Sequence, residues 1–232
     1  QGVATQTFTA TVQANGSWSV NVPQSLGDGQ YTVKASVRDG VGNLTEQTAN
    51  GVIDTTAPSL VLNATAITSD DTPLISGTSN LTGGEVTVTI DGQTLTATVA
   101  ATGLWQVSAG TLIDGTYTVT ATIADQAGNT VTRTGSITID TVAPNITVTS
   151  QGLTNDATPI ITGTSDEAQG STVSVIIVDG NGDTHALTAL VDINGDWQVQ
   201  ANTLPEGGYT VTASIIDAAG LTSSATTTGE ID

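Results

Sequence analysis

The sequence predicts an all-β protein made of tandem β-sandwich repeats, and three observations carry that reading. First, apolar and hydroxyl side chains alternate with a period of two in Glu85-Val-Thr-Val-Thr-Ile90, Thr116-Tyr-Thr-Val-Thr-Ala-Thr-Ile123 and Tyr209-Thr-Val-Thr-Ala-Ser-Ile215. This is the pattern of a strand with one buried and one wet face. Second, Asp28-Gly29, Asp91-Gly92, Asp114-Gly115, Asn194-Gly195 and Gly207-Gly208 punctuate those runs, and such pairs accept the backbone angles of tight turns. Third, the whole pattern recurs along the chain. No stretch sustains a 3.6-residue period, so no helix is expected.

The recurrence fixes the elements in order. Gly16-Ser-Trp18-Ser-Val20 returns as Gly103-Leu-Trp105-Gln-Val107 and Gly195-Asp-Trp197-Gln-Val199. Gly29-Gln-Tyr31-Thr-Val33 returns as Gly115-Thr-Tyr117-Thr-Val119 and Gly208-Tyr209-Thr-Val211. The loop Val37-Arg-Asp39-Gly-Val-Gly42-Asn43 matches Ile123-Ala-Asp125-Gln-Ala-Gly128-Asn129 and Ile216-Asp217-Ala-Ala-Gly220-Leu221. Ile53-Asp54-Thr-Thr-Ala-Pro58 matches Ile139-Asp140-Thr-Val-Ala-Pro144, and Ile231-Asp232 closes the third unit. The boundaries are therefore 1–53, 54–140 and 141–232. The last two are complete repeats of about 90 residues, large enough for a core of their own, and the third is lengthened by Asp179-Gly-Asn-Gly-Asp183. The first is partial. Thr7-Phe-Thr-Ala-Thr-Val12 aligns with Thr94-Leu-Thr-Ala-Thr-Val99, so the counterpart of about residues 55–90 is missing. Such a half-sandwich exposes apolar faces and unpaired edges. The expectation is a fragment that begins inside a domain, or one whose missing strands come from another chain.

Charge narrows the function. The 232 residues hold 22 Asp and Glu against three Lys and Arg, a net charge of −19. A phosphate backbone or an anionic membrane needs a basic face, so nucleic acid and membrane partners are excluded and bound cations are favoured. High charge with only 3% aromatics is also a disordered composition, but the strict alternation overrides it. With no cysteine, disulfides and thiolate metal sites are impossible. No apolar run approaches the roughly 18 residues of a membrane span, and no basic-then-apolar leader opens the chain. An export signal is expected elsewhere in a longer polypeptide.

Repeat two reads as seven strands, at about 59–66, 72–79, 85–90, 93–99, 104–109, 115–124 and 130–139. Seven short strands with turns every 8–12 residues suit an immunoglobulin-like sandwich without its disulfide. Together with the Asp-Thr-x-Ala-Pro junctions, the Asp-x-Ala-Gly-Asn loop and the Trp and Tyr anchors, this resembles the bacterial immunoglobulin-like repeats of giant secreted non-fimbrial adhesins (SiiE-type). The resemblance covers essentially the whole chain. It implies a rod carrying calcium ions at or near the junctions, exported by type I secretion to the bacterial surface and serving adhesion and virulence.

The residues themselves point to cations at the junctions. Asp outnumbers Glu 17 to five and gathers at strand ends. Loops of a seven-strand sandwich alternate between two poles, so Asp70, Asp71, Asp114 and Asp140 fall at the C-terminal pole of repeat two. Asp166, Glu167 and Asp217 fall at the facing N-terminal pole of repeat three, across Thr141-Val-Ala-Pro144. The preceding junction offers Asp28 and Asp54 from repeat one, and Asn80 and Asp125 from repeat two. Like charges so crowded repel, and Ca²⁺ resolves the conflict by taking six to eight oxygens from such flexible sets. The plain alternative is solubilising acidity. Asp39 and Asp232 hold equivalent positions without a partner repeat. Asp91, Asp179, Asp192 and Asp196 read as turn residues.

Trp18, Trp105 and Trp197 read as anchors at a sheet end rather than as sugar platforms. Tyr31, Tyr117 and Tyr209 read as the tyrosine that locks a sandwich corner. His185 is the one histidine and reads as a solvated loop or strand-end residue. No nucleophile elbow, phosphate loop or basic patch is present, and adjacent carboxylates such as Asp70 and Asp71 diverge on a strand end, so no catalysis is expected. Three functions remain: a calcium-stiffened stalk of a surface adhesin, a module that itself holds a host glycan or protein through the Asp179–His185 loop, and an accessory domain of a secreted hydrolase. The stalk reading leads, with host glycans or proteins as partners of the full-length adhesin.

Overall fold

The computed structural model describes residues 5–64 and 66–232. The first four positions of the first repeat and position 65 of the expected 59–66 strand lie outside the described residues. Every regular element among the described residues is a strand. Contacts divide the chain into two units: the residues up to Pro58 with Ala124–Val131, and Ser59–Ile123 with Thr132–Asp232.

In the first unit, β1 (Gly29–Arg38) and β2 (Leu44–Ile53) form an antiparallel hairpin whose register runs from Gly29↔Ile53 to Arg38↔Leu44. Residues 5–28 contribute turns and no strand. Thr7–Val12 forms no strand, and the hairpin is exposed along nearly its whole length. Val33 is 46% exposed, against 0% for its counterpart Val119, and Trp18 is 49% exposed against 2% for Trp105.

Repeat two contains β3 (Leu60–Asn63), β4 (Ile67–Thr68), β5 (Leu74–Ser79), β6 (Glu85–Ile90), β7 (Gln93–Thr98), β8 (Leu104–Ser108), β9 (Gly115–Ala124) and β10 (Thr130–Ile139). They form two sheets, β3-β5-β8 and β4-β10-β9-β6-β7. Six of the seven expected strands appear within two residues of their predicted bounds. The first divides instead: β3 runs antiparallel to β5, while β4 crosses to the other sheet and pairs parallel with β10. At Gly135 on β10, an added Cβ would lie 3.2 Å from Ala64 Cβ. At the β6–β7 turn, Asp91 and Gly92 have φ of 45° and 72°, the two positive values a two-residue type I′ turn requires.

Alternation places Val86, Val88 and Ile90 of β6, Val119, Ala121 and Ile123 of β9, and Ile137 and Ile139 of β10 inside, with Leu60, Ile75 and Trp105 of the other sheet also buried. Trp105 lies opposite Gly77, and a Cβ on that glycine would sit 2.5 Å from the indole. The outer face of the larger sheet is threonine. Thr96, Thr87 and Thr122 are in register across β7, β6 and β9, and Thr122 Oγ1 is hydrogen-bonded to Thr132 Oγ1 at 3.0 Å.

Repeat three repeats this plan with β11 (Leu153–Thr154), β12 (Ile160–Thr164), β13 (Thr172–Val178), β14 (Thr184–Leu190), β15 (Asp196–Gln200), β16 (Gly207–Ile216) and β17 (Thr222–Ile231). Its sheets are β11-β17-β16-β13-β14 and β12-β15. The counterpart of β3 is reduced to the isolated bridges Ile146↔Ser165 and Thr149↔Thr162. One continuous core joins Ile161, Val173, Val175, Ile177, Trp197 and Tyr209.

Candidate functional site

The aspartates divide by what their oxygens already bind. Asp28 Oδ1 accepts hydrogen bonds from Thr55 N at 3.0 Å and Thr55 Oγ1 at 2.7 Å, and Oδ2 accepts one from Thr56 Oγ1 at 2.8 Å. The Thr55 hydroxyl, then that of Thr56, holds its carboxyl below the ordinary Asp value. Asp54 Oδ1 accepts from Thr56 N at 3.1 Å. Asp125 Oδ1 accepts from Asn129 N, and Oδ2 from Asn129 Nδ2, both at 2.9 Å. The same amide donates to the Asp54 carbonyl at 3.0 Å, and its bond to Asp125 lowers that carboxyl's pKa. Asn80 belongs to the second unit, where its Oδ1 accepts from Ser59 N at 2.7 Å.

The linker between repeats two and three lies wholly within the second unit. Asp114 Oδ1 accepts from Thr141 N at 2.9 Å and Thr141 Oγ1 at 2.8 Å, which fastens the linker to the turn before β9. Asp140 Oδ1 accepts from Val142 N at 3.3 Å, and its own N–H donates to Thr68 O at 3.0 Å. Across the linker, Asp166 Oδ1 accepts from Asn145 N at 2.7 Å. Asp217 Oδ1 accepts from Leu221 N at 2.8 Å, whereas its Oδ2 is sealed from solvent with no hydrogen-bond partner.

Glu167 stands among these carboxylates. Burial pushes its carboxyl above the ordinary Glu value, and the charges of Asp217, Asp166 and Asp140 push it further. Asp217, Asp166 and Asp140 thus all act on Glu167. Asp70, Asp71 and Asp114 are not among the groups that act on Glu167. Asp70 Oδ1 accepts from Thr72 N and Thr72 Oγ1 at 2.9 Å, as Asp156 does from Thr158 one repeat later. The Asp71 carbonyl accepts from Leu112 N.

Carboxylate oxygens are the ligand type that a hard cation takes, and one of them here, Asp217 Oδ2, has no hydrogen-bond partner. Among the described residues no three His, Cys, Asp or Glu side chains close on one point, so these carboxylates form a neighbourhood rather than a finished cage.

Of the aspartates read as turn residues, Asp192 and Asp179 bond within their turns, whereas Asp196 opens β15. Asp192 Oδ1 accepts from Asn194 N and Asp196 N. Asp179 Oδ1 accepts from Asn181 N at 2.9 Å and Asp183 N at 3.0 Å, and its Oδ2 lies 3.0 Å from His185 Nε2. His185 stands at a strand end, one of the two expected places, but it is not solvated. It stands second in β14 with its side chain largely covered, because Asp179 draws it inward. Trp105 and Trp197 are buried anchors opposite Gly77 and Gly163. Tyr117 Oη donates to Ile113 O at 2.8 Å, which is the corner lock. Tyr31 and Tyr209 instead lie over Gly51 and Gly229, where a Cβ would collide with the ring. Repeat two has Ile137 at that position, and a branched side chain leaves no room for the ring.

The model of the bacterial Ig-like domain matches residues 2–55, 59–141 and 145–232. The chain belongs to the bacterial Ig-like domain family. Its bacterial Ig-like repeats are similar to solved tandem arrays. One is the tetra-tandem repeat in the extending region of a large adhesion protein, at 31% identity over 96% of this chain and 62% of that one, with a TM-score of 0.41. Another is a 1.5-MDa bacterial ice-binding adhesin, at 24% identity over 88% of this chain and 74% of that one, with a TM-score of 0.40. The fibronectin(III)-like modules of Clostridium thermocellum CbhA also match, at 12% identity over 75% of this chain and 94% of that one, with a TM-score of 0.45. No curated protein matches the chain.

Proposed function

We propose that this chain is a stalk segment of a giant bacterial surface adhesin, secreted to the cell surface, in which Ca²⁺ stiffens the junctions between bacterial Ig-like repeats. Adhesion to host glycans or proteins is then the task of the full-length molecule, and this segment supplies reach. The observation that carries the reading is the direct succession of repeats. The family matches ending at 141 and resuming at 145 leave three residues between them, too few to behave as a flexible coil, and one of the three is Pro144, which fixes its own φ.

Calcium is supported by the charges around that linker. Asp140, Asp166, Glu167 and Asp217 would hold the ion, Asp217 through the oxygen that lacks a hydrogen-bond partner. Asp114 holds Thr141 in place beside them. When bound, the ion supplies two positive charges against carboxylates that otherwise repel. Affinity on the order of 10⁻⁴–10⁻³ M or tighter, with Ca²⁺ preferred to Mg²⁺, suits an extracellular module. At a hundredfold excess over Kd the ion stabilises the docked pose by about 2.7 kcal/mol.

The absence of cysteine makes the test direct. Thr94→Cys and Thr188→Cys, spin-labelled, place one probe on repeat two and one on repeat three. In Ca²⁺ the distance distribution between them should be narrow. EGTA should broaden it, and Asp140→Ala should broaden it even in Ca²⁺, while each repeat remains folded. Identical distributions with and without EGTA would refute calcium as the stiffener.

A further inference from the structure

The outer face of repeat three departs from that of repeat two at one edge. β14 ends its five-stranded sheet, with β13 on one side and no strand on the other among the described residues. By register, Ile176 of β13 and Ala186 and Leu190 of β14 stand where repeat two has Thr89, Thr94 and Thr98. Ile176 is 41% exposed, Val178 39% and Leu190 64%. An edge strand offers unpaired N–H and C=O groups to a further strand, and here hydroxyls give way to hydrocarbon beside that edge. Neither β13 nor β14 contains Asp, Glu, Lys or Arg, the side chains that ordinarily blunt an edge.

The placement of these residues says what fits. Ile176 pairs with Ala186 and Val178 with Thr184, whereas Leu190 lies at the far end of β14, opposite Thr172. Within one chain Leu190 is therefore set apart from the other apolar residues. An antiparallel partner that uses all seven residues of a second β14 has its two-fold axis at Leu187. Thr184 then meets Leu190 of the second copy, in the row of Val178 and diagonal to Ala186, which is within reach of a long side chain. The symmetry repeats this on the other copy, so each isolated leucine joins the other's apolar rows. We propose that β14 is a self-association edge, through which two copies of this chain pair antiparallel along Thr184–Leu190 and join their five-stranded sheets into one. The charge of −19 on each chain opposes this, most where Asp183 of one copy comes beside Asp192 of the other at the ends of the paired strands. A single strand edge is a small interface, so pairing belongs to high local concentration, as where stalks stand side by side on one surface. The inference needs no calcium and goes beyond the stalk reading by supplying a lateral contact.

The test is sedimentation equilibrium of the whole chain in EGTA, from about 10 µM to about 1 mM. The weight-average mass should climb from 23.2 kDa towards twice that value. Added salt should lower the concentration at which it climbs, because salt screens the carboxylates. Amide exchange in β14 should slow as concentration rises. Leu190→Thr, which installs the residue of repeat two, should weaken the dimer by about tenfold, since each dimer loses two leucines. Leu153 is as exposed, at 68%, but lies on β11 at the opposite edge of the sheet, so Leu153→Thr should change nothing. Near-ultraviolet dichroism of the buried Trp105 and Trp197 checks that both variants are folded. A mass of 23.2 kDa at every concentration, a dimer without slower exchange in β14, or equal effects of the two leucine variants overturns the inference. The stalk and calcium readings stand in each of those cases.

Discussion

Single residues decide how each sandwich closes. Gly163 faces Trp197 across β12 and β15, and an added Cβ would run into both the indole and the Thr147 carbonyl. Neither can yield, because the ring is buried and the carbonyl belongs to the neighbouring backbone. Gly163→Ala should therefore destabilise repeat three by about 3 kcal/mol, read as a lower Tm, while repeat two is unaffected. Asp179 makes a second prediction. The His185 ring bonded to it holds its carboxyl below the ordinary 3.8, with the Asp183 and Asn181 amides adding to the effect against a partial cost of burial. A depressed folded-state pKa means that the stabilisation is present above the ordinary value and is lost as pH falls through the folded one. Wild type and Asp179→Asn should thus differ in stability at neutral pH and converge in strong acid. Denaturant midpoints measured across the acid range check this, and a difference that persists at the lowest pH contradicts it.

At the scale of elements, identical pairing does not mean identical stability. β1–β2 and β16–β17 are both ten-rung antiparallel hairpins. The first is bare on both faces and the second has Tyr209, Val211, Ala213 and Ile215 in a core. Backbone hydrogen bonds without buried apolar support open readily. Amide exchange should be faster in β1–β2 than in β16–β17 by orders of magnitude, and equal protection would show that burial is not what secures these ladders. The threonine face of β6, β7, β9 and β10 carries a related lesson. Threonine is β-branched enough for a strand and polar enough for solvent, so a face of this kind keeps the alternation without adding charge. Repeat three relaxes the rule, with Ile176 and Ala186 opposite one another on the same face.

Over the whole molecule the governing quantity is the net charge of −19, which works against compaction wherever carboxylates meet. Between repeats two and three Glu167 bears that burden, through burial and through Asp217, Asp166 and Asp140. Glu167→Gln should raise the Tm of the chain in EGTA, because it removes a repelling charge, and should shrink the gain in Tm on adding Ca²⁺, because it also removes an oxygen anion from the site. Thermal scans of wild type and variant, each with EGTA and with Ca²⁺, test both halves. An unchanged calcium gain would show that Glu167 is a bystander.

The amino-acid sequence alone determined the all-β class, the repeat, nearly every strand and the polar turns, because period-two alternation and turn chemistry are local properties that each segment carries with it. Its strand count also led to the expectation that Asp140, Asp166, Glu167 and Asp217 gather about one linker. Tertiary structure decided the rest. The first strand of repeat two divides between sheets, and the same parallel crossing recurs in repeat three, so it follows from how the strands pack together. Tyr117 bonds Ile113 while Tyr209 lies flat because of what stands across the sheet, Ile137 or Gly229. Which charges act on Glu167, and which oxygen of Asp217 goes unbonded, emerge only when distant residues are brought together. A side chain's pattern is written in its own segment, but its partners are supplied by segments far away in the chain, and hydrogen bonding and repulsion depend on the partners.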